Sequence, residues 1–302
     1  MGADVESDHN YPNKPIRIIS SELGADNDFV ARIVAQGLES RFGQQVTVEN
    51  RKGGTDGAVT ALNAQRDGYT LLSVGTQFWI EPLLHKTPYD PLKDFMPIIR
   101  AINSPFFLFV HPSVPADSVR ELIALAQAKP GELKYASGLT GAAGHLATEL
   151  FKAKAGVNLT RVVYKGGVSA INAVAANEVQ LIFASANVGA SYVKSGKLKV
   201  LAAPSAQSSP LLPGVPSIGE ALPGYEFKTM YGLLAPAGTP EPIVKLLNHE
   251  MARILKTAEL GERFRASGVE VVADSPEDFG AFLKSETEKW SKVIRDAGIR
   301  AE

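Results

Sequence analysis

Residues 137–145 read SGLTGAAGH, with glycines at 138, 141 and 144. The hydroxyls of Ser137 and Thr140 stand among those glycines and ahead of a helical stretch. Hydroxyl donors and the unpaired N–H groups of a helix N-terminus both suit a carboxylate or a phosphate. The competing reading is a tight turn with a capping threonine. The dinucleotide pattern G-x-G-x-x-G is excluded, because Leu139 and Thr140 separate the first two glycines. Glycine-bearing loops recur after other apolar runs: Gly24 after Ile16–Ser20, Gly53-Gly54 after Val46–Val48, Gly75-Thr76 after Tyr69–Val74, and Gly166-Gly167 after Arg161–Tyr164. Recurrence in both halves of the chain favours anion capture over an isolated turn.

The loop SSELGADND at residues 20–28 is ambiguous. Ser20, Ser21 and Asn27 offer neutral contacts, and Gly24 permits close backbone approach. Glu22, Asp26 and Asp28 suit the start of a helix, where negative charge meets the positive end of the dipole. An acid here that faces a guest would repel an anion and welcome an amine or a hydroxyl. In YKGG, residues 164–167, the glycines are better ligand contacts than Lys165, which reads as a solvated lysine. His145 reads as a helix-capping histidine that can reach a site. Phe78 and Trp79 follow Gly75-Thr76 at a strand end, where a guest could stack, although core packing is the default for such a pair.

Several chemistries have no residues to carry them. The chain contains no cysteine, which removes disulfides, thiolate nucleophiles and thiolate metal sites. HEMAR, residues 249–253, places Arg253 where a zinc-hydrolase helix needs its second histidine. The five histidines are scattered without ligand spacing. SGKLK lacks the first glycine and the final hydroxyl of a phosphate loop, and no G-x-S-x-G elbow occurs. No metal, cofactor or catalytic residue is expected. Basic and acidic residues number 31 and 32, for a net charge of −1, which argues against a nucleic-acid partner.

These residues need positioning elements. Apolar runs at Ile16–Ser20, Val46–Val48, Tyr69–Val74, Pro105–Val110, Tyr135–Gly138, Arg161–Tyr164, Val179–Phe183, Val200–Ala203 and Tyr231–Pro236 read as strands. Helical periodicity covers Asp28–Phe42 (with Asn27 or Asp26 as N-cap), Ala58–Gln65, Ser118–Lys129, Leu146–Ala155, Ser169–Ala176, Glu241–Lys256 and Pro276–Ala297. Pro204–Pro223 reads as a surface loop with short turns. At 302 residues the chain suits two domains. Alternating strands and helices predict two doubly wound α/β lobes, with a ligand cleft between them at the carboxyl ends of the strands. Residues 1–10 read as a disordered lead-in or a cloning remnant, with any signal peptide already removed. No run reaches the roughly 18–20 apolar residues of a membrane span.

The segments YPNKPIRII, VARIVAQGLESRFGQQVTVENRKGG, DGYTLLSVGT, PYDPLKDFMPI, YKGG, SGKLKVLA, LPGVPSIGEALPGYE and GLLAPAGTP stand in a fixed order. In this the chain resembles the Bug, or tripartite tricarboxylate transporter receptor, family of periplasmic solute-binding proteins, over nearly all of residues 11–299. The resemblance implies a monomeric, periplasmic, type II binding protein. Lobe 1 is residues 11–110 with 232–302, and lobe 2 is residues 111–231. It implies no reaction: the lobes close on a small organic acid and deliver it to membrane transporter subunits. In such relatives a carboxylate is held by main-chain N–H groups and waters. Carried over, the contact positions are Ser20, Ser21, Gly24, Ala25, Asp26, Asp28, Thr55, Thr76 and Gln77 in lobe 1, and Ser137, Gly138, Thr140, His145 and Gly166 in lobe 2. Phe78 joins them as a stacking surface, and Ala184 and Ser185 complete the expected ligand contacts.

Departures from the family pattern bear on the ligand. The first loop reads Ser20-Ser21-Glu22-Leu23-Gly24-Ala25 in place of a proline- and glycine-rich one, and Ala184, followed by Ser185, replaces an aspartate. Loss of the acid at Ala184 weakens an amino-acid reading, while Glu22 and Asp26 pull the other way. The expectation is a small mono- or dicarboxylate, aromatic acids slightly ahead of aliphatic diacids. The alternatives are a sensor that signals to a membrane kinase, binding of an amino acid or other solute, and an enzyme.

Overall fold

The structure is a computed structural model, and it describes residues 11–21, 26–51, 54–204, 212–266, 269–296 and 298–299. In chain order the elements begin with β1 (Ile16–Ser20), α1 (Asp26–Phe42), β2 (Val46–Asn50), α2 (Gly54–Leu62), β3 (Thr70–Gly75), α3 (Gln77–Leu84) and β4 (Phe95–Val110). They continue with α4 (Val119–Ala128), β5 (Lys134–Ser137), α5 (Ala143–Ala155), β6 (Thr160–Val163), α6 (Gly167–Ala175), β7 (Leu181–Ser185), α7 (Ala186–Lys194) and β8 (Lys199–Ala202). The last are α8 (Ile218–Ala221), β9 (Lys228–Pro236), α9 (Glu241–Leu255), α10 (Ala258–Ala266), β10 (Glu270–Val271) and α11 (Pro276–Asp296).

The chain divides into two compact units. Unit 1 comprises Met1–Asn103, Met230–Glu262 and Val271–Ser291, and unit 2 comprises Ser104–Thr229, Arg263–Glu270 and Lys292–Glu302. The chain passes from unit 1 to unit 2 along β4 and returns along β9.

Within unit 1 the strand order is β2-β1-β3-β9. β1 lies parallel to β2 and to β3, and β9 runs antiparallel to β3. Within unit 2 the order β6-β5-β7-β4 has the same build: β5 is parallel to β6 and β7, and β4 is antiparallel to β7. In each unit the first strand is central, three parallel strands feed three helices, and an antiparallel strand follows; in unit 2, β8 pairs antiparallel with the other side of β4. The loose repetition of strand, glycine loop, helix and strand in the sequence is this shared topology. Parallel strands covered on both faces need apolar residues on both. Ile16, Ile18 and Ile19 of β1 are accordingly fully buried, and every residue of β7 is buried.

The structure corrects several element assignments. β4 is a 16-residue strand, FMPIIRAINSPFFLFV, rather than the apolar run that begins at Pro105. Its prolines at 97 and 105 hid the continuity. Asp26 and Asn27 lie inside the first turn of α1 rather than capping it. The segment after Gly75-Thr76 is helix α3, and Ala186–Lys194 is helix α7; both follow a strand with almost no loop to announce them. The segment expected as a surface loop carries α8, started by a capping box of Ser217 and Glu220, with Leu212, Ile218 and Leu222 buried. Residues 205–211 of it lie outside the described residues.

The C-terminal elements of unit 1 are tied to β4 by polar contacts. Asp274 accepts from the Arg100 backbone N–H (3.0 Å) and from its Nε (2.8 Å) and Nη2 (2.8 Å). The Arg100 guanidinium lies 4.1 Å from the centre of the Phe282 ring. Asn248 Nδ2 donates to the carbonyls of Ile98 and Asp274, both at 2.8 Å. Burial pushes the Asp274 carboxyl up and Arg100 pulls it down. Removing one partner strands the other, so the Asp274→Ala variant should lose about 3 kcal/mol of unfolding free energy. Urea denaturation followed by circular dichroism measures this; a loss below about 1 kcal/mol would contradict the anchoring role.

Candidate ligand-binding site

In a sheet of parallel strands, every following helix starts at the same edge. Unit 2 places there the N-termini of α5, α6 and α7, after β5, β6 and β7. The first N–H groups of each helix have no carbonyl one turn back. The N-cap side chains do not supply the missing acceptor: Ala142, Gly166 and Ser185 make no side-chain cap hydrogen bond. Ser185 is a good capping residue by type. Its hydroxyl instead is buried without a hydrogen-bond partner, on a residue only 3% exposed. Ala184 beside it is buried.

The loop from Ser137 to His145 has a structural explanation for two of its glycines. Gly141 has φ +84°, the left-handed region. At Gly144 a Cβ would sit 2.8 Å from the Phe183 carbonyl oxygen, so α5 seats on β7 only without one. Gly166 and Gly167 are different. A Cβ at either would meet nothing within 4 Å, and Gly166 has extended backbone with φ −176°. Neither fold nor packing requires glycine there.

Arg161 of β6, which the sequence analysis did not single out, grips this loop. Its Nε donates to Ser137 Oγ (2.8 Å), Nη1 to Thr140 Oγ1 (3.0 Å) and Nη2 to the Gly138 carbonyl (3.0 Å). Ser137 Oγ donates in turn to the Gly138 carbonyl at 3.0 Å. The loop is therefore preorganised and carries a guanidinium. The signal for Arg161 is register: it pairs with Tyr135, two residues before the end of β5. His145 is buried, and its Nδ1 accepts from the Gly141 N–H at 3.2 Å. Burial first, then the Arg161 charge, push its pKa down to about 4.

Unit 1 repeats the arrangement with different residues. Ser20, the last residue of β1 and topologically equivalent to Ser137, is 2% exposed, and its hydroxyl has no partner. Arg51, one residue past β2, donates its backbone N–H to the Ser20 carbonyl (2.9 Å). Its Nε is also buried without a partner, while another nitrogen of its guanidinium pairs with Glu49. Other expected contacts are engaged internally. Both Asp28 oxygens are taken, by Asn50 Nδ2 (2.7 Å) and Arg32 Nε (3.0 Å). Ser21 Oγ donates to Asn27 Oδ1 (2.5 Å). Thr55 donates to Glu81 (2.7 Å), and buried Thr76 accepts from the Met230 N–H (3.1 Å). Gln77 is exposed at the start of α3. Tyr231 OH donates to Asp26 Oδ2 at 2.9 Å. Glu22, Gly24 and Ala25 lie outside the described residues.

Phe78 fills a core role in place of the expected stacking one. Its ring stacks on Tyr89 at 5.0 Å and meets Phe95 edge-on at 5.2 Å. It is 5% exposed and Trp79 1%. Among the described residues no cluster of three His, Cys, Asp or Glu side chains could hold a metal ion. No described helix is long and apolar enough to cross a membrane.

Two α/β units, each with helices starting at the carboxyl ends of three parallel strands, define the fold of the periplasmic solute-binding proteins. The profile described as "Tripartite tricarboxylate transporter family receptor" matches residues 30–299, and the chain belongs to that family. It is 31% identical to protein BugT of Bordetella pertussis over 99% of this chain and 94% of BugT. It is 32% identical to R. palustris Rpa4515, a structure with adipate, at a TM-score of 0.89 over 97% of this chain and 100% of that one. MatC from Rhodopseudomonas palustris, with bound malate, is 26% identical at a TM-score of 0.84, over 94% and 100% of the two chains.

The Arg161 contacts are charge-assisted and half-buried, and each is worth about 1.5–3 kcal/mol. Arg161→Met should therefore speed amide exchange at Gly138–Gly141 by at least about tenfold, read by hydrogen–deuterium exchange; unchanged exchange would show that the loop holds itself. His145 gives a second prediction. It stays neutral when folded and protonates more readily when unfolded. Its contribution is thus complete above the ordinary value of 6.5 and is lost as pH falls toward about 4. The full effect is about 3 kcal/mol at most. His145→Asn, which keeps an acceptor for Gly141, should flatten that part of a urea-derived stability profile; an identical slope in both proteins would contradict it.

Proposed function

We propose that this chain is a periplasmic receptor that captures a small organic carboxylate and delivers it to a tripartite tricarboxylate-type membrane transporter, without catalysing a reaction. The observation that carries this is the pair of buried, unpartnered hydroxyls at Ser20 and Ser185. Each ends a strand at the edge where its own unit starts its helices. A buried hydroxyl left unsatisfied costs about 1–3 kcal/mol, so both suit a guest that supplies the missing bond. Uncapped helix N-termini and the guanidinium of Arg161 make the edge of unit 2 favourable to negative charge. A Cβ at Gly166 or Gly167 would meet nothing within 4 Å, so packing does not account for glycine there.

The proposed contact set keeps Ser20, Asp26, Gly138, Thr140, Gly166 and Ser185. Phe78 leaves it because its ring packs in the core, and with it goes the ground for preferring aromatic over aliphatic acids. The lobes proposed are residues 11–110 with 232–302, and 111–231. The receptor is proposed to act as a monomer by closure, in which ligand contacts made by both lobes shift an open–closed equilibrium.

Isothermal titration against a panel of mono- and dicarboxylates tests this. At least one acid should bind, and its uncharged methyl ester or amide should not. Ser185→Ala should weaken the acid by about 5–30-fold, the equivalent of one hydrogen bond of about 1–2 kcal/mol. A panel with no binder would contradict the receptor reading.

A further inference from the structure

The edge of unit 1 differs from that of unit 2 in carrying an acid. Its placement follows from register. Ile19 pairs with Leu72, and both side chains reach α2, where a Cβ at Gly57 would sit 3.5 and 3.7 Å from them. Strand alternation sends the next residues, Ser20 and Ser73, to the other face. Ser73 shows what lies there: its hydroxyl donates to the Asn27 carbonyl in the first turn of α1 at 2.9 Å. Gly75 pairs with Tyr231, which puts Tyr231 on the same face, and its phenol donates to Asp26 Oδ2. Ser20, Tyr231 and Asp26 therefore share the α1 face of one strand edge.

The ordinary account of Asp26 is an acid that complements the dipole of α1. That account leaves Ser20 unexplained, with its buried hydroxyl unpartnered on the same face. It also fits Asp28 better, since Asp28 is fully engaged by Asn50 and Arg32. Among the described residues Asp26 has no basic partner, and burial pushes its carboxyl up, with Tyr231 opposing. Tyr231 occupies one carboxyl oxygen. Asp26 can accept a further bond and Ser20 can accept or donate. Beside them Arg51 holds a buried Nε–H without a partner. An acceptor and a cation on neighbouring strand ends complement a group that donates next to a carboxylate.

We infer that Asp26 makes this receptor selective for an amino- or hydroxy-carboxylic acid, whose ammonium or hydroxyl donates to Asp26, over the plain acid that lacks the donor. The inference rests on the receptor reading. An ionised carboxylate placed against Asp26 meets a like charge, whereas an ammonium or hydroxyl supplies a second hydrogen bond to the half-buried Asp26 carboxylate, beside a Ser20 hydroxyl that has none.

The test is calorimetric titration of matched probes: succinate against aspartate and malate, glutarate against glutamate and 2-hydroxyglutarate, and benzoate against 2-aminobenzoate and salicylate. In the wild type the donor-bearing member of the binding set should be tighter by about tenfold or more, the worth of one charge-assisted hydrogen bond. Asp26→Asn keeps an acceptor for Tyr231 and should keep the melting temperature. It should reduce that preference to within about threefold, chiefly by tightening the plain acid. Preference for the ammonium or for the hydroxyl names which donor is read. A wild type that binds the plain acid equally well or better overturns the inference and leaves the receptor standing. So does an Asp26→Asn variant that keeps the wild-type preference. Failure of every acid to bind removes both.

Discussion

A parallel strand can be followed by a helix only at its carboxyl end, and that geometric constraint governs everything proposed for this chain. Three parallel strands in a unit deliver three helix N-termini to one edge, each with backbone donors that helix geometry cannot satisfy. A soluble protein normally fills such ends with serine, threonine, aspartate or asparagine side chains. At the edge of unit 2 the residues present do not. Ala142 and Gly166 have no capping oxygen, and Ser185 has one that makes no cap bond. Donors left over by the fold are what the proposed receptor would use to hold an anion.

The unsatisfied groups are concentrated. Among the described residues, the buried side-chain polar atoms without partners are Ser20 Oγ, Arg51 Nε, Trp79 Nε1 and Ser185 Oγ. Ser20 and Ser185 end strands β1 and β7, Arg51 follows β2 by one residue, and Trp79 lies in the first turn of the helix after β3. Several other polar side chains near these edges are committed. Asp28, Ser21 and Asn50 form one network, and Ser137 and Thr140 are held by Arg161. The committed groups give each edge its shape, and the uncommitted ones leave it bonds to offer. The two units use one topology with different electrostatic accents, a guanidinium on the glycine loop of unit 2 and, in unit 1, a half-buried acid at the start of α1 together with Arg51, whose backbone N–H donates to the Ser20 carbonyl.

Much of this was legible in the sequence. Glycines and hydroxyls after apolar runs announce strand ends, which is why Ser20, Ser137 and Gly166 could be named from residue types alone. The strand–helix alternation gave the two-unit α/β architecture. Arg161 and Tyr231 were not legible, because each acts from a neighbouring strand. Tyr231 reaches Asp26 only through the pairing of β9 with β3, and Arg161 reaches Ser137 only through the pairing of β6 with β5. Periodicity reports which residues share a face of one strand and not which strand lies beside it. Phe78 was misplaced for a related reason: the helix that carries its ring to Tyr89 starts one residue after the strand, without a loop.

The most direct measurement is a crystal structure of the protein with its tightest-binding carboxylate. The account predicts guest oxygen or nitrogen atoms at hydrogen-bond distance, about 2.7–3.2 Å, from Ser20 Oγ and Ser185 Oγ, with N–H groups of α5, α6 or α7 directed at a carboxylate. A guest bound elsewhere, with both serine hydroxyls still buried and unbonded, would contradict it.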